Sequence, residues 1–113
     1  MLVKREVFDY YLRLVAYEYD MYVDHMMRST DDDAAEARRM LSYLCFKRPM
    51  SLKIIEQLLS DYGYTKADVT VWYMVERFKT DLKHDKDLEQ VVKRIEQFGN
   101  VFYGKYIISE VDE

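Results

Sequence analysis

Apolar positions recur along this chain with the period of about 3.6 residues that places side chains on one face of an α-helix. Val7, Tyr11, Leu14 and Glu18 share one stripe, and Phe8, Leu12, Val15, Tyr19 and Tyr22 an adjacent one, which predicts a helix over about Lys4 to Tyr19. A helix so widely apolar needs cover on more than one side, from its own domain or from a second subunit. A short helix over Tyr22 to Met27 would turn Val23, Met26 and Met27 inward. Ser29, Thr30 and Asp31 to Asp33 precede the apolar series Ala37, Leu41, Leu44 and Cys45, and Asp33 with Glu36 has capping-box spacing. Pro49 ends this third helix, because proline lacks an amide donor and pushes its predecessor out of helical conformation. Ser51 then caps a fourth helix carrying Leu52, Ile55, Leu58 and Leu59, which ends by Ser60 or Asp61.

Tyr62, Gly63 and Tyr64 form a turn, and Thr65 with Asp68 repeats the capping-box spacing ahead of a fifth helix. Its expected buried stripe is Val71, Trp72, Val75, Phe78 and Leu82. Helix, short glycine-containing turn and helix, over about residues 51–83, is the outline of a helix-turn-helix. A last helix starts at Asp85, carries Leu88, Val91, Val92, Ile95 and Phe98, and is expected to stop at Gly99 and Asn100. Residues 99–113 include Phe102, Tyr103, Tyr106, Ile107 and Ile108, so they are expected to pack on the same domain as an extended segment or across the helices.

Composition agrees with a single all-α domain of five or six helices over residues 1–98. The 113 residues are 50% hydrophobic and 34% charged, with only three Gly and one Pro, too few turn formers for an all-β fold. The lone Cys45 sits within an apolar helical pattern and reads as a core residue of a cytoplasmic protein. Lys4, Arg5, Glu6 and Asp9 interrupt any apolar leader, and no window suits a membrane span. The Asp31–Asp33 run lacks the alternation, glycine and distal glutamate of a calcium loop, so neither metal nor other cofactor is expected. No phosphate loop, nucleophile elbow or His-Glu-x-x-His pattern occurs, and no enzymatic activity or nucleotide binding is expected.

Charge bears on function through its distribution. The net value is −4, which by itself speaks against nucleic acid. Yet residues 38–53 hold five basic side chains (Arg38, Arg39, Lys47, Arg48 and Lys53) and no acidic one, directly before the helix-turn-helix outline. Basic residues gathered on one surface serve phosphate contacts. Five positive charges offsetting acidic neighbours in surface salt bridges would explain the same segment.

The order of residues adds a resemblance. Val15-Ala16, Met21, Val23-Asp24, Arg28 and Ala37-Arg38-Arg39-Met40-Leu41-Ser42-Tyr43-Leu44, followed by Ser51-Leu52, Ile55, Leu59 and Thr70-Val71, resemble the C-terminal DNA-binding domain of the bacterial replication initiator DnaA. The closing helix with Leu88, Val91 and Ile95 is similar too, so the likeness runs over roughly Phe8 to Phe98. It implies a Trp-repressor-like helix-turn-helix, Arg38 in the minor groove, and phosphate contacts from Lys47, Arg48 and Lys53. Arg39 joins these as a DNA-binding candidate. In the recognition helix, Lys66-Ala67-Asp68-Val69-Thr70-Val71 stands where the family has Arg-Asp-His-[Ser/Thr]-Thr-Val, keeping a basic residue, the second Thr and the Val. Lys66, Thr70 and Tyr73 are the candidates there. The preceding turn is about four residues longer than the family's.

Duplex DNA is therefore the expected partner. A protein-interaction module, as a homodimer or with another protein, is the competing expectation, motivated by the acidic remainder and the degenerate recognition motif. Trp72 is expected in the core, while Tyr62, Tyr64 and Tyr73 flank the turn or the exposed helix face.

Overall fold

Helix α3 (Asp32–Lys47) is the axis on which the other five helices pack. The structure, a computed structural model, describes residues 4–65 and 69–103. In chain order the helices are α1 (Lys4–Glu18), α2 (Val23–Arg28), α3, α4 (Leu52–Asp61), α5 (Val71–His84) and α6 (Lys86–Tyr103), with no strand among the described residues. The fold is all-α. α3 can touch every other helix because small side chains (Ala34, Ala37, Ser42 and Cys45) alternate with Met40, Leu41 and Leu44 around its buried circumference. α1 covers one side with Val7, Phe8, Tyr11, Leu12, Val15 and Ala16, and α5 the other with Val71, Met74, Val75 and Phe78. The broad apolar surface of α1 is thus covered within the chain, by α3, α2 and α6. α6 closes the core with Leu88, Val92 and Ile95.

Local chemistry sets the ends of the helices. The Asp31 carboxylate accepts from the Ala34 amide at 2.7 Å, the Ser51 hydroxyl from Ile54 at 3.2 Å and the Thr70 hydroxyl from Tyr73 at 3.1 Å. Each satisfies an amide that a helix start leaves without a partner. α4 ends in a Schellman arrangement, with Tyr64 N–H donating to Leu59 C=O and Gly63 N–H to Ser60 C=O. Gly63 has φ +112°, and a Cβ there would lie 3.1 Å from the Arg28 guanidinium, so the turn needs glycine. α1 ends the same way, through Met21 to Ala16 and Asp20 to Tyr17, but here Asp20 takes the left-handed position at φ 51°.

Several expectations are corrected. The cap of α3 is Asp31 rather than Asp33, and Glu36 instead accepts a 2.9 Å hydrogen bond from the Tyr19 hydroxyl. α5 begins at Val71, capped by Thr70, so residues 62–70 form a longer connection than a short glycine turn. Trp72 is 62% exposed: with the buried stripe centred on Val71, Val75 and Phe78, its position lies about 100° around the helix. Phe98 is exposed as well. Gly99 and Asn100 do not stop α6, which continues to Tyr103; a glycine inside a helix costs about 1 kcal/mol and need not end it. The remainder of the C-terminal extension, residues 104–113, lies outside the described residues.

Candidate nucleic-acid interface

The seam between α3 and α5 collects charge from segments far apart in sequence. One stripe of α3, Ala35, Arg39, Tyr43 and Phe46, borders two clefts along it. The first, of about 140 Å³, is lined by Ala35, Arg38, Arg39, Tyr64, Val69, Tyr73, Met74 and Arg77. The second, wider and open, is lined by Tyr43, Phe46, Lys47, Glu76, Lys79, Thr80, Leu82 and Lys83. Arg39 and Arg77 border the first cleft, and Lys47, Lys79 and Lys83 face Glu76 in the second, with Asp81 and Glu96 beside them as ion-pair partners. Five cations against three carboxylates make the seam locally positive on a chain whose net charge is −4.

The sequence-predicted residues divide sharply here. Arg38 is 5% exposed and faces inward, its Nη1 donating to Met26 C=O at 2.6 Å and Ser29 C=O at 2.8 Å. Its guanidinium lies 4.7 Å from the centre of the Tyr64 ring. Burial lowers its pKa, only partly offset by Tyr64. The minor-groove placement expected for Arg38 is therefore corrected: the side chain ties α3 to the C-terminal end of α2. Arg39 does reach the seam, with Nε 3.6 Å from Asp81. Lys47 pairs with Glu96 at 2.9 Å and lies over the Tyr43 ring; burial lowers its pKa, but the bond and charge of Glu96 more than compensate. Arg48 is turned towards α1, its guanidinium 6.0 Å from the Tyr11 ring centre, and lines neither cleft. Lys53 is exposed on the first turn of α4, also away from both clefts. Thr70 is the cap of α5, and Tyr73 is 43% exposed with its hydroxyl accepting from Arg77 at 3.3 Å. Lys66, with Ala67 and Asp68, lies outside the described residues.

Of the other tyrosines at the turn, Tyr64 is buried beneath Arg38, and the Tyr62 hydroxyl donates to Asp9 at 3.0 Å. Reading by sequence missed Trp72, Arg77, Lys79 and Lys83. A signal for them exists: they occupy the positions of α5 outside its buried stripe of Val71, Met74, Val75 and Phe78, Trp72, Lys79 and Lys83 along one flank and Arg77 along the other. A charge count by segment hides it, because these cations share their stretch of chain with many acids whose side chains point elsewhere.

Exposed aromatic residues mark the same helix. Trp72 and Tyr73 stand on the first turn of α5, one beside the basic stripe of Lys79 and Lys83 and the other above Arg77. A second group lies between α1 and α6, where Tyr17 and Phe98 border a cleft of about 340 Å³ with Leu14 and Ile95, crossed by the Arg94–Glu18 ion pair at 2.9 Å. Among the described residues no cluster of His, Cys, Asp and Glu could hold a metal ion, and no helix is long and apolar enough to cross a membrane. No protein-family model, curated protein or solved structure matches the chain.

Proposed function

We propose that this protein binds duplex DNA without catalysis, using the exposed face of α5 and the basic residues of the α3–α5 seam. The observation that carries the reading is the local excess of cations at the seam of an acidic chain, with Trp72 and Tyr73 exposed at its edge. Cations gathered on one surface meet phosphates, whereas side chains on the exposed face of a helix can reach base edges in the major groove. The resemblance to the DnaA C-terminal domain supports the same helix as the reading element, in a helix-turn-helix with a lengthened connection, but with a different set of contacts. Arg77, Lys79 and Lys83 replace Arg38 as the principal cations. Thr70 keeps its hydroxyl proton for a phosphate oxygen while its lone pair caps α5. The acidic remainder of the surface keeps non-specific affinity low, since repulsion opposes contact everywhere but at the seam.

The test is fluorescence anisotropy of a labelled duplex across a salt series. The logarithm of affinity should fall linearly with the logarithm of salt, and neutralising Arg77, Lys79 or Lys83 should each reduce the slope by about one. Trp72→Ala should weaken binding without altering the slope. An absence of binding at about 50 mM salt, where phosphate contacts are strongest, overturns the proposal.

One observation favours a second reading, a protein-interaction module: the apolar cleft of Leu14, Tyr17, Ile95 and Phe98, which no residue of α5 lines. On that reading Tyr17→Ser with Phe98→Ser changes the oligomeric state seen by sedimentation, while Arg77→Ala and Lys79→Ala leave it unaltered.

A further inference from the structure

The cleft of about 140 Å³ between α3 and α5 gathers positive charge. Three guanidiniums line it, those of Arg38, Arg39 and Arg77, and no carboxylate does among the described residues. Asp81 lies beside it, 3.6 Å from Arg39 Nε and 3.5 Å from Arg77 Nε, so one carboxylate is shared by two cations at distances too long for good hydrogen bonds. Arg39 Nε is buried and has no hydrogen-bond partner. Arg38 donates to two neutral carbonyls and lies over the Tyr64 ring, with Asp31 the nearby carboxylate that acts on it. A buried donor without an acceptor is unfavourable, and a small oxyanion seated among these guanidiniums supplies the missing acceptor.

From this geometry we infer that the cleft is a binding site for a phosphate monoester dianion. Three cations less one shared carboxylate leave two positive charges, which a dianion neutralises and a backbone diester only halves. The volume accommodates the four oxygens of such a group, at about 30 Å³ for each water-sized atom. Guanidinium N–H groups of Arg39 and Arg77 donate in the planar fork that suits phosphate oxygens. The Tyr73 hydroxyl, already accepting from Arg77, has its proton left to give. The ligand is either a free phosphate or the terminal 5′-phosphate of a nucleotide chain; the recognised chemistry is the same. This site does not require duplex binding through α5.

The full chain is titrated with inorganic phosphate at constant ionic strength, with sodium chloride as the control, and the side-chain Nε–H resonances of arginine are followed by NMR. Saturable shifts at Arg39 and Arg77 are expected, stronger as phosphate takes its second charge between about pH 5 and 8. Arg77→Gln and Tyr73→Phe, both at exposed positions that leave the core intact, should weaken binding, the first by about tenfold or more. A 5′-phosphorylated oligonucleotide competing better than inorganic phosphate, and better than its unphosphorylated twin, identifies the nucleotide terminus as the source; inorganic phosphate competing better than either oligonucleotide identifies free phosphate; equal competition by both oligonucleotides, which share only diesters, overturns the inference of a monoester site. Linear, unsaturated shifts, or saturation unaffected by Arg77→Gln, overturn the inference. Salt-dependent duplex binding in the absence of phosphate saturation would leave the functional reading standing and remove this site alone.

Discussion

Replacing Arg38 with methionine separates a buried structural arginine from one that touches DNA. The guanidinium donates to the carbonyls of Met26 and Ser29 at 2.6 and 2.8 Å, joining α3 to the end of α2 across a stretch that has no other regular structure. Hydrogen bonds from a charged donor contribute about 1.5–3 kcal/mol each, and a contact with an aromatic face such as Tyr64 adds about 0.5–2 kcal/mol. Methionine fills similar space and avoids the desolvation that lowers the Arg38 pKa, which returns part of that sum. The net expectation is a loss of about 2–4 kcal/mol, a large share of the roughly 5–15 kcal/mol that holds a domain together. Urea denaturation followed by circular dichroism measures it directly. Arg38→Lys, which keeps the charge but has a single donor group, should fall between the parent and the methionine variant. A methionine variant within about 0.5 kcal/mol of the parent that also loses duplex affinity would refute the reasoning, because such a side chain would have to lie outside the core.

Asp20→Gly should stabilise the protein by about 0.5–1 kcal/mol, because glycine adopts the left-handed conformation at the end of α1 without the steric penalty that Asp20 bears; a higher thermal midpoint checks it. Trp72→Ala should change stability by less than about 1 kcal/mol, whereas Phe78→Ala, wholly buried against Tyr43, should cost about 3–5 kcal/mol in the same denaturation experiment. The Cys45 thiol is buried and its pKa is pushed up by desolvation, so it should react with a thiol reagent only as fast as the protein opens; rapid labelling of the native state would contradict its placement. Acid should weaken the fold through Asp31, whose carboxyl lies below its ordinary value of 3.8 because it accepts from the Ala34 amide and the Ser29 hydroxyl. That contribution is complete above the unfolded value and is lost as pH falls through the folded one, so the stability of Asp31→Asn should depend less on pH below about 4 than that of the parent.

Helix content, the order of six helices and most of the core were legible in the sequence, because a 3.6-residue apolar repeat and polar caps are local properties. Ser51 and the apolar positions of α1, α3, α4 and α6 show it: a helix start or a buried stripe is decided by residues within a turn or two. What one helix meets is not local. Two adjacent arginines of α3 have opposite fates because the helix rotates by about 100° between them, carrying Arg38 under Tyr64 and Arg39 to the seam. No linear reading distinguishes them without knowing where α2 and α5 lie. The same holds for charge. A basic segment was visible over residues 38–53, but tertiary packing turned Arg38 inward and Arg48 towards α1, and joined Arg39 and Lys47 to Arg77, Lys79 and Lys83 from a stretch that is acidic overall. The sequence settles that this is an all-α chain, because helical periodicity is local, whereas the position of α3 at the centre of the core comes from its contacts with every other helix. Tertiary structure alone decided which cations share a surface, because electrostatic cooperation depends on distance in space and helix packing sets that distance.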